Sequence, residues 1–391
     1  MTETFDAVVV GGGPAGATAA TELARAGYSV LLLDRDGRIK PCGGAIPPRL
    51  IEDFGIPPHL LAARITSARM VAPSARSVDM PIDGGFVGMV DREVFDEWLR
   101  ARAVTCGATR RTGRFTEIAR DRDGTALVRF RASRSEREES VRARVVVGAD
   151  GAKAAVAARY VPGAERIPHV FAYHEIVRSP EAGFDGARCD VYYQGRLSPD
   201  FYGWVFPHGD TASVGSGSAR KGFPLRRSVA ALRDTAGLSG AETVRREGAP
   251  IPLRPARRWD NGRDVILAGD AAGVVAPASG EGIYYAMESG RLVAAAAGGF
   301  LATGEARALR LARRRFMRAH GRVFWILRMM QWFWYSSDQR RERFVSICRD
   351  PDVQRLTWDS YMNKRLTRAR PVAHARVFFK DLAHLLGFAR I

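Results

Sequence analysis

A short apolar strand running straight into a glycine-rich turn leaves few folds open to this chain. Phe5-Asp6-Ala7-Val8-Val9-Val10 reads as a buried strand, and Gly11-Gly12-Gly13-Pro14-Ala15-Gly16 follows it with no spacer. Ala17 to Ala26 is small and helix-favouring, Gly27 closes it, and Ser29-Val30-Leu31-Leu32-Leu33 is a second apolar strand ending at Asp34. Together they make a βαβ unit of about thirty residues. The spacing Gly11-x-Gly13-x-x-Gly16 lets the backbone turn tightly, approach a diphosphate and aim the N–H groups of a helix start at its charge. Asp34 lies 18 residues past Gly16, where a carboxylate accepts from adenosine ribose hydroxyls and repels a 2′-phosphate. The pocket therefore suits FAD or NAD and disfavours NADP.

Composition narrows the field further. With 391 residues, 46% of them hydrophobic, the chain can bury a core in two or three packed units, which excludes disorder as its main state. Cys42, Cys106, Cys189 and Cys348 lie far apart with no C-x-x-C pair, which excludes a disulfide scaffold and a zinc ribbon and fits a reducing cytoplasm. The 7 histidines show no ligand spacing, so no metal site is expected. A strand so close to the first residue leaves no secretory leader, and no apolar run is long enough to span a membrane.

Two further strand–acid turns reinforce the nucleotide reading. Arg144-Val145-Val146-Val147 runs into Gly148-Ala149-Asp150-Gly151, and Asp264-Val265-Ile266-Leu267 into Ala268-Gly269-Asp270-Ala271-Ala272-Gly273. These resemble the additional fingerprints of FAD-dependent proteins of the p-hydroxybenzoate hydroxylase-like fold. The resemblance implies that Asp270 binds the ribityl hydroxyls. It also implies that Pro277-Ala278-Ser279-Gly280-Glu281-Gly282-Ile283 brings backbone N–H groups and a helix start to the flavin N1–C2=O edge, where the dipole stabilises the reduced ring. Asp91-Arg92-Glu93-x-Phe95-Asp96-x-x-Leu99 is similar to the helix whose arginine, here Arg92, reaches the cofactor. The implied cofactor contacts are Gly11, Gly13, Ala15, Gly16, Asp34, Arg35, Cys42, Gly43, Gly44, Arg92, Asp150, Gly269, Asp270, Pro277, Gly280, Gly282 and Ile283.

Pro41-Cys42-Gly43-Gly44-Ala45, with Tyr202-Gly203-Trp204-Val205-Phe206-Pro207 and Gly215-Ser216-Gly217, resembles the signature of the geranylgeranyl reductases. The stretches Arg38 to Pro47 and Met80 to Arg92 resemble the chlorophyll and bacteriochlorophyll branch. That likeness implies an FAD enzyme that uses NADPH to saturate three double bonds of the geranylgeranyl group, on the pigment or on the diphosphate. A flavin-dependent aromatic monooxygenase of the same fold is the alternative, and a prenyl or pigment carrier would need no fingerprints for a flavin.

The residues themselves add this much. Tyr202, Trp204 and Phe206 alternate and so share one strand face, either an apolar, roomy substrate surface or an aromatic layer of ordinary core. Cys42 is either a small buried hydrophobe or a group near the isoalloxazine. An alkene needs a proton as well as a hydride, and Cys42 or a tyrosine of the aromatic face is expected near the proton path; the catalytic candidates are Cys42, Tyr202 and Trp204, and Tyr202, Trp204 and Phe206 the substrate-binding ones. No second glycine fingerprint marks a separate NADPH domain. Gly215 to Gly222, with Arg220 and Lys221, is a solvated basic turn or a grip for the 2′-phosphate.

The expected fold class is α/β: a Rossmann-type FAD-binding domain (1–70, 91–165 and 255–304) interleaved with an antiparallel β-sheet substrate domain (71–90 and 166–254), followed by a helical C-terminal region (305–391). Charge singles out that last region. The chain carries 60 Lys plus Arg against 42 Asp plus Glu, a net +18, of which residues 305–391 hold 20 against 7. Within it, Arg313 to Tyr335 interleaves arginine with Phe, Trp and Met. Phe316, Val323, Leu327, Met330 and Trp334 share one helical face, while Phe324, Trp325, Met329, Trp332 and Phe333 make the second half apolar nearly all round. Such a helix is core or enters a lipid interface. No nucleic-acid-binding motif is present, so the expected partners are an isoprenoid substrate and an anionic membrane surface, the protein lying peripherally on the cytoplasmic side of a bacterial photosynthetic membrane. The oligomeric state is left open.

Overall fold

The computed structural model describes residues 2–35, 39–133 and 136–364. It divides into two compact units. The first comprises the chain up to Lys40, Arg92–His169 and Pro250–Phe324; the second comprises Pro41–Asp91, Val170–Ala249 and the described chain from Trp325 onward.

In the first unit, strand Thr4–Val10 lies between Val30–Asp34 and Glu138–Gly148, parallel to both. Thr109–Arg120 extends the parallel sheet on one side and Val265–Leu267 on the other. Ala126–Ala132 runs antiparallel to both long strands. Val8, Val9, Leu31, Leu32, Val146 and Val147 are fully buried, as the unbroken apolar runs of a sheet covered on both faces require. Helix Pro14–Arg25 packs against Arg92–Thr105 and Ile283–Thr303. The approach is close because Gly290 has no side chain: a Cβ there would sit 2.3 Å from the Ala15 carbonyl oxygen. Turns of functional interest follow Val10, Asp34, Gly148 and Leu267, at the carboxyl ends of the parallel strands, where open α/β sheets bind ligands.

The second unit is built on a seven-stranded sheet in the order Thr243–Pro252, His169–Arg178, Thr211–Ser218, Gly203–His208, Arg188–Tyr192, Ser67–Val71 and Ser77–Pro81. Alternation sorts its two faces. Val205, Val214 and Val177 pack with Val229 and Leu232 of helix Leu225–Thr235, each of those burials stabilising by about 1.5–3 kcal/mol. Trp204 and Phe206 therefore lie on the opposite face. A three-stranded sheet of Ala45–Ile46, Val87–Val90 and Leu61–Ile65 completes the unit, with Phe206, Met89, Cys189 and Trp358 in one apolar cluster.

Two boundaries differ from the division expected above. Residues 41–70 belong with the second unit, because Ala45–Ile46 and Leu61–Ile65 pair with Val87–Val90, and Ser67–Val71 joins the large sheet. The C-terminal region is not a separate third body: Phe316 packs on Trp259 in the first unit, and Tyr335 on Tyr193 in the second. Arg38 and residues 365–391 lie outside the described residues. Among the described residues, no helix is long and apolar enough to cross a membrane and no His/Cys/Asp/Glu group could hold a metal ion.

Candidate active site

The glycine turn of the first unit owes its shape to missing side chains. Gly11 has φ +105°, and a Cβ on it would lie 2.3 Å from the Ala149 carbonyl oxygen. A Cβ on Gly16 would lie 1.8 Å from the Gly11 carbonyl oxygen. Gly13 differs: no atom lies within 4 Å of its Cβ position, and it precedes helix Pro14–Arg25 without a side-chain cap. The helix start is thus an uncapped donor cluster facing open space, as an anionic ligand needs. Pro14 at the first helical position has no N–H to satisfy, so donors begin at Ala15.

The other turns converge on it. Asp34 packs beside Gly12, and its Oδ2 accepts from Arg100 Nη1 at 3.2 Å. Asp150 Oδ2 accepts from the Val156 N–H at 3.1 Å, whereas its Oδ1 is buried with no hydrogen-bond partner. Burial pushes the Asp150 carboxyl up, partly offset by backbone N–H donors and by the positive charge of exposed Arg35. Gly269, at φ +64°, would touch the Ala15 side chain at 2.7 Å if it carried a Cβ, and its N–H donates to Ser289 Oγ at 2.9 Å. Asp270 is nearly buried and accepts from Lys40 Nζ at 2.5 Å. His169 lies close enough to feel that carboxylate, though burial pushes its imidazole down. Gly11, Gly13, Ala15, Gly16, Asp34, Asp150, Gly269 and Asp270 are therefore gathered at one set of strand ends.

Pro277 to Ile283 forms a tight loop. Ala278 holds φ +61°, a strain of roughly 1 kcal/mol for a residue with a Cβ, and Gly280 holds φ +65°. The Ala276 N–H donates to the Glu281 carbonyl at 2.8 Å, the Gly280 N–H to the Ala276 carbonyl at 3.0 Å. Gly282 precedes helix Ile283–Thr303, and the Tyr284 N–H donates to Glu281 Oε1 at 3.1 Å. Arg92 is buried in a bidentate pair with Asp96, at 2.8 and 2.7 Å. Lys40, Arg100 and His169 were not among the residues read from sequence; their partners are far away along the chain.

In the second unit the Cys42 turn and the aromatic residues do meet. Trp204 lies 6.0 Å from Tyr202 and 6.2 Å from Phe206, ring centre to ring centre, so the three share one face. A Cβ on Gly43 would touch Phe206 at 3.0 Å, and one on Gly44, at φ +73°, would approach His208 Nε2 at 2.5 Å. Cys42 is half-buried; its Sγ accepts from the Gly44 N–H at 3.4 Å and lies within electrostatic reach of Tyr202. His208 Nδ1 sits 3.0 Å from the Phe206 carbonyl, and burial pushes its imidazole down.

The face is less roomy than the glycines near it suggest. Tyr202 is 7% and Trp204 6% exposed, because the Trp204 ring itself occupies the space over Gly215, within 2.1 Å of a Cβ position there. Tyr202 stacks on Phe201 at 4.2 Å, and burial raises its phenol far above the usual value, making it a poor proton source. In the basic turn, Gly215 to Ser218 are buried strand and only Ala219 to Gly222 are exposed.

The donors and acceptors of the first unit fit FAD: open space over Gly13, an uncapped helix start and an orphaned carboxylate oxygen on Asp150. Residues 4–167 match the FAD binding domain family, so the fold and site define a flavoprotein. Over 98% of this chain and 98% of the relative, the sequence is 59% identical to the geranylgeranyl diphosphate reductase of Rhodobacter capsulatus. It is 35% identical to that of Synechocystis, over 97% of each chain. A geranylgeranyl bacteriochlorophyll reductase-like protein from Thermoplasma acidophilum, at 21% identity, shares the fold with a TM-score of 0.83 over 98% of this chain and 99% of that one. The chain belongs to the geranylgeranyl reductase family. It is an FAD-dependent oxidoreductase acting on C=C bonds, and family membership favours reduction over aromatic hydroxylation.

Proposed function

We propose that this enzyme reduces the geranylgeranyl chain to phytyl, saturating three double bonds with NADPH as electron donor, on geranylgeranyl diphosphate or on the (bacterio)chlorophyll ester. The full-length likeness to geranylgeranyl diphosphate reductases carries this reading. FAD held at this site would take two electrons from NADPH and, once reduced, would supply the hydride for each alkene.

The chain's own residues bind and orient. Gly13 and the helix start at Pro14 take the diphosphate of the cofactor, Asp34 its ribose, and Asp150 Oδ1 one of its donors. Half-buried Phe206 offers the isoprenoid an apolar, water-poor surface that the buried rings of Tyr202 and Trp204 back, and Cys42 lies beside them. Since the phenol of Tyr202 holds its proton tightly, Cys42 is the better placed of the two for the proton that completes each reduction.

We place the enzyme peripherally on an anionic photosynthetic membrane, at its cytoplasmic side. Helix Arg310–Trp334 contains 7 Arg and no Asp or Glu, and it exposes Trp325 (64%), Met329 (43%) and Trp332 (70%). Those three positions recur every three or four residues, so they line one stripe, and Arg328 is exposed beside them. Arginine for lipid phosphates beside indoles at headgroup depth is the chemistry of an anionic bilayer surface.

Stopped-flow reduction of the flavin by NADPH and by NADH, followed by re-oxidation with geranylgeranyl diphosphate or with the geranylgeranyl pigment, tests the donor and the acceptor separately. NADPH is expected to be the faster donor, and the acceptor with the higher kcat/KM is the substrate. Re-oxidation by neither prenyl compound overturns the reading.

A further inference from the structure

On the same sheet face, beside Trp204, lies a line of polar groups with no part in binding or chemistry described so far. His174 has a side chain only 4% exposed, on strand His169–Arg178 of the second unit. It stands opposite Gly215, which in turn stands opposite Trp204. Its Nδ1 lies 2.9 Å from Ser213 Oγ and its Nε2 3.1 Å from Glu247 Oε2. Ser213, fully buried, also accepts from Trp204 Nε1 at 3.1 Å. Arg245 pairs with the other oxygen of Glu247.

The chemistry of the donors gives this line a single polarity. An indole N–H can only donate, so the Ser213 oxygen accepts from Trp204. At the other end the Glu247 carboxylate can only accept, so His174 donates to it through Nε2. In the neutral imidazole Nδ1 is then the acceptor, and the one hydroxyl proton of Ser213 points to it. Ser213 and His174 each accept one bond and donate another, and the charge at the end of the line sets the direction of all three. A hydroxyl and an imidazole at these depths would each cost about 1–3 kcal/mol if left unpaired, so the line holds its members in one arrangement. The indole it ends on fills the gap over Gly215 and touches Tyr202 and Phe206.

We propose that Glu247, His174 and Ser213 are positioning residues that lock the buried Trp204 indole behind the surface the isoprenoid meets at Phe206, and so set how far the chain of double bonds is reduced. The inference rests on the reading of the Tyr202–Trp204–Phe206 face as the substrate surface. A misaligned surface should slow the later reductions most, since each needs a different alkene brought to the same point. Misplacement of a positioning group by about 1 Å costs up to a hundredfold in rate.

The test has two readouts on the full-length FAD-loaded protein. The first is the ¹⁵N–¹H resonance of the Trp204 indole, identified by its loss in Trp204→Phe. The second is the product distribution from geranylgeranyl substrate, with kcat and KM for each reduction. In Ser213→Ala and Glu247→Ala the indole resonance is expected to shift, and fully reduced product to fall ten- to hundredfold in favour of partly reduced chains. Flavin reduction by NADPH should remain unchanged. Glu247→Gln keeps an acceptor for His174 and should restore both readouts to near wild type; thermal melts identify any variant that fails to fold, in which case His174→Gln replaces it. An unmoved resonance in both alanine variants overturns the proposal, and so does a Glu247→Gln variant as damaged as Glu247→Ala, which would mean charge rather than position is at work. A shifted resonance with unchanged products supports the line but overturns the substrate-surface reading.

Discussion

Replacing Gly13 and Gly16 separately by alanine should split folding from cofactor binding. At Gly13 the backbone is extended, φ −74° and ψ −176°, as a residue before proline prefers, and nothing lies within 4 Å of the new methyl group. Without cofactor, Gly13→Ala should therefore leave stability unchanged or raise it by about 0.4–1 kcal/mol through the unfolded state. With cofactor the same methyl stands where a diphosphate oxygen must approach the N–H groups that begin at Ala15. Loss of one or two charge-assisted hydrogen bonds, each about 1.5–3 kcal/mol, weakens FAD by ten- to a thousandfold or more. Gly16→Ala is the opposite case. Its methyl would lie 1.8 Å from the Gly11 carbonyl oxygen, so helix and strand must separate, at a cost of about 3 kcal/mol or more. Urea melts of the apo proteins and flavin fluorescence titrations measure both quantities. A Gly13→Ala protein that binds FAD as tightly as wild type would refute the placement of the diphosphate over this turn.

Other perturbations follow from the same geometry. Lys40→Met leaves the nearly buried Asp270 carboxylate without its cation; because Lys40 is a third exposed, the expected loss is about 1–2 kcal/mol of stability, recovered in Lys40→Met/Asp270→Asn, and equal melts of single and double variants would contradict the pairing. Burial pushes His208 and His169 down, so the unfolded chain takes up protons that the folded chain refuses; stability is full above the ordinary imidazole value of about 6.5 and is lost as pH falls below it. Urea melts at pH 7.5 and 5.5 should show a shallower loss for His208→Gln than for wild type, and an identical loss removes His208 from the account. Cys42→Ala and Cys42→Ser should lower kcat with FAD content unchanged; full kcat in both ends its role in proton supply. Trp325→Ala/Trp332→Ala should melt within about 0.5 kcal/mol of wild type, both rings being exposed, yet lose at least tenfold in co-sedimentation with anionic vesicles. Equal co-sedimentation would mean that these rings do not meet lipid.

What was legible in the sequence was local. Gly11, Gly13 and Gly16 could be read because their spacing within one turn is itself the signal, though Gly11 answers to the distant Ala149 carbonyl, and the Tyr202–Trp204–Phe206 face because alternation along a strand is a two-residue rule. Pairings across long separations left no such signal: Lys40 meets Asp270 across 230 positions and Arg100 meets Asp34 across 66. The space over Gly215 belongs to the Trp204 ring, a consequence of strand register that only the paired sheet reveals. Residues 41–70 were misassigned to the nucleotide domain for the same reason, since their strands find partners at Val87–Val90 and Arg188–Tyr192. In helix Arg310–Trp334 apolar residues surround the second half, so periodicity could not say which rings face out. The structure buries Phe324 and Trp334 and exposes Trp325 and Trp332.

Hydrogen addition across isoprenoid double bonds leaves a mark that mass spectrometry reads on geranylgeranyl diphosphate and on the geranylgeranyl pigment, after anaerobic incubation with the enzyme, FAD and NADPH. Stepwise gains of two hydrogens are expected, ending three reductions above the starting chain and requiring no oxygen. No gain of mass on either compound, or turnover that begins only when oxygen is admitted, would contradict that chemistry.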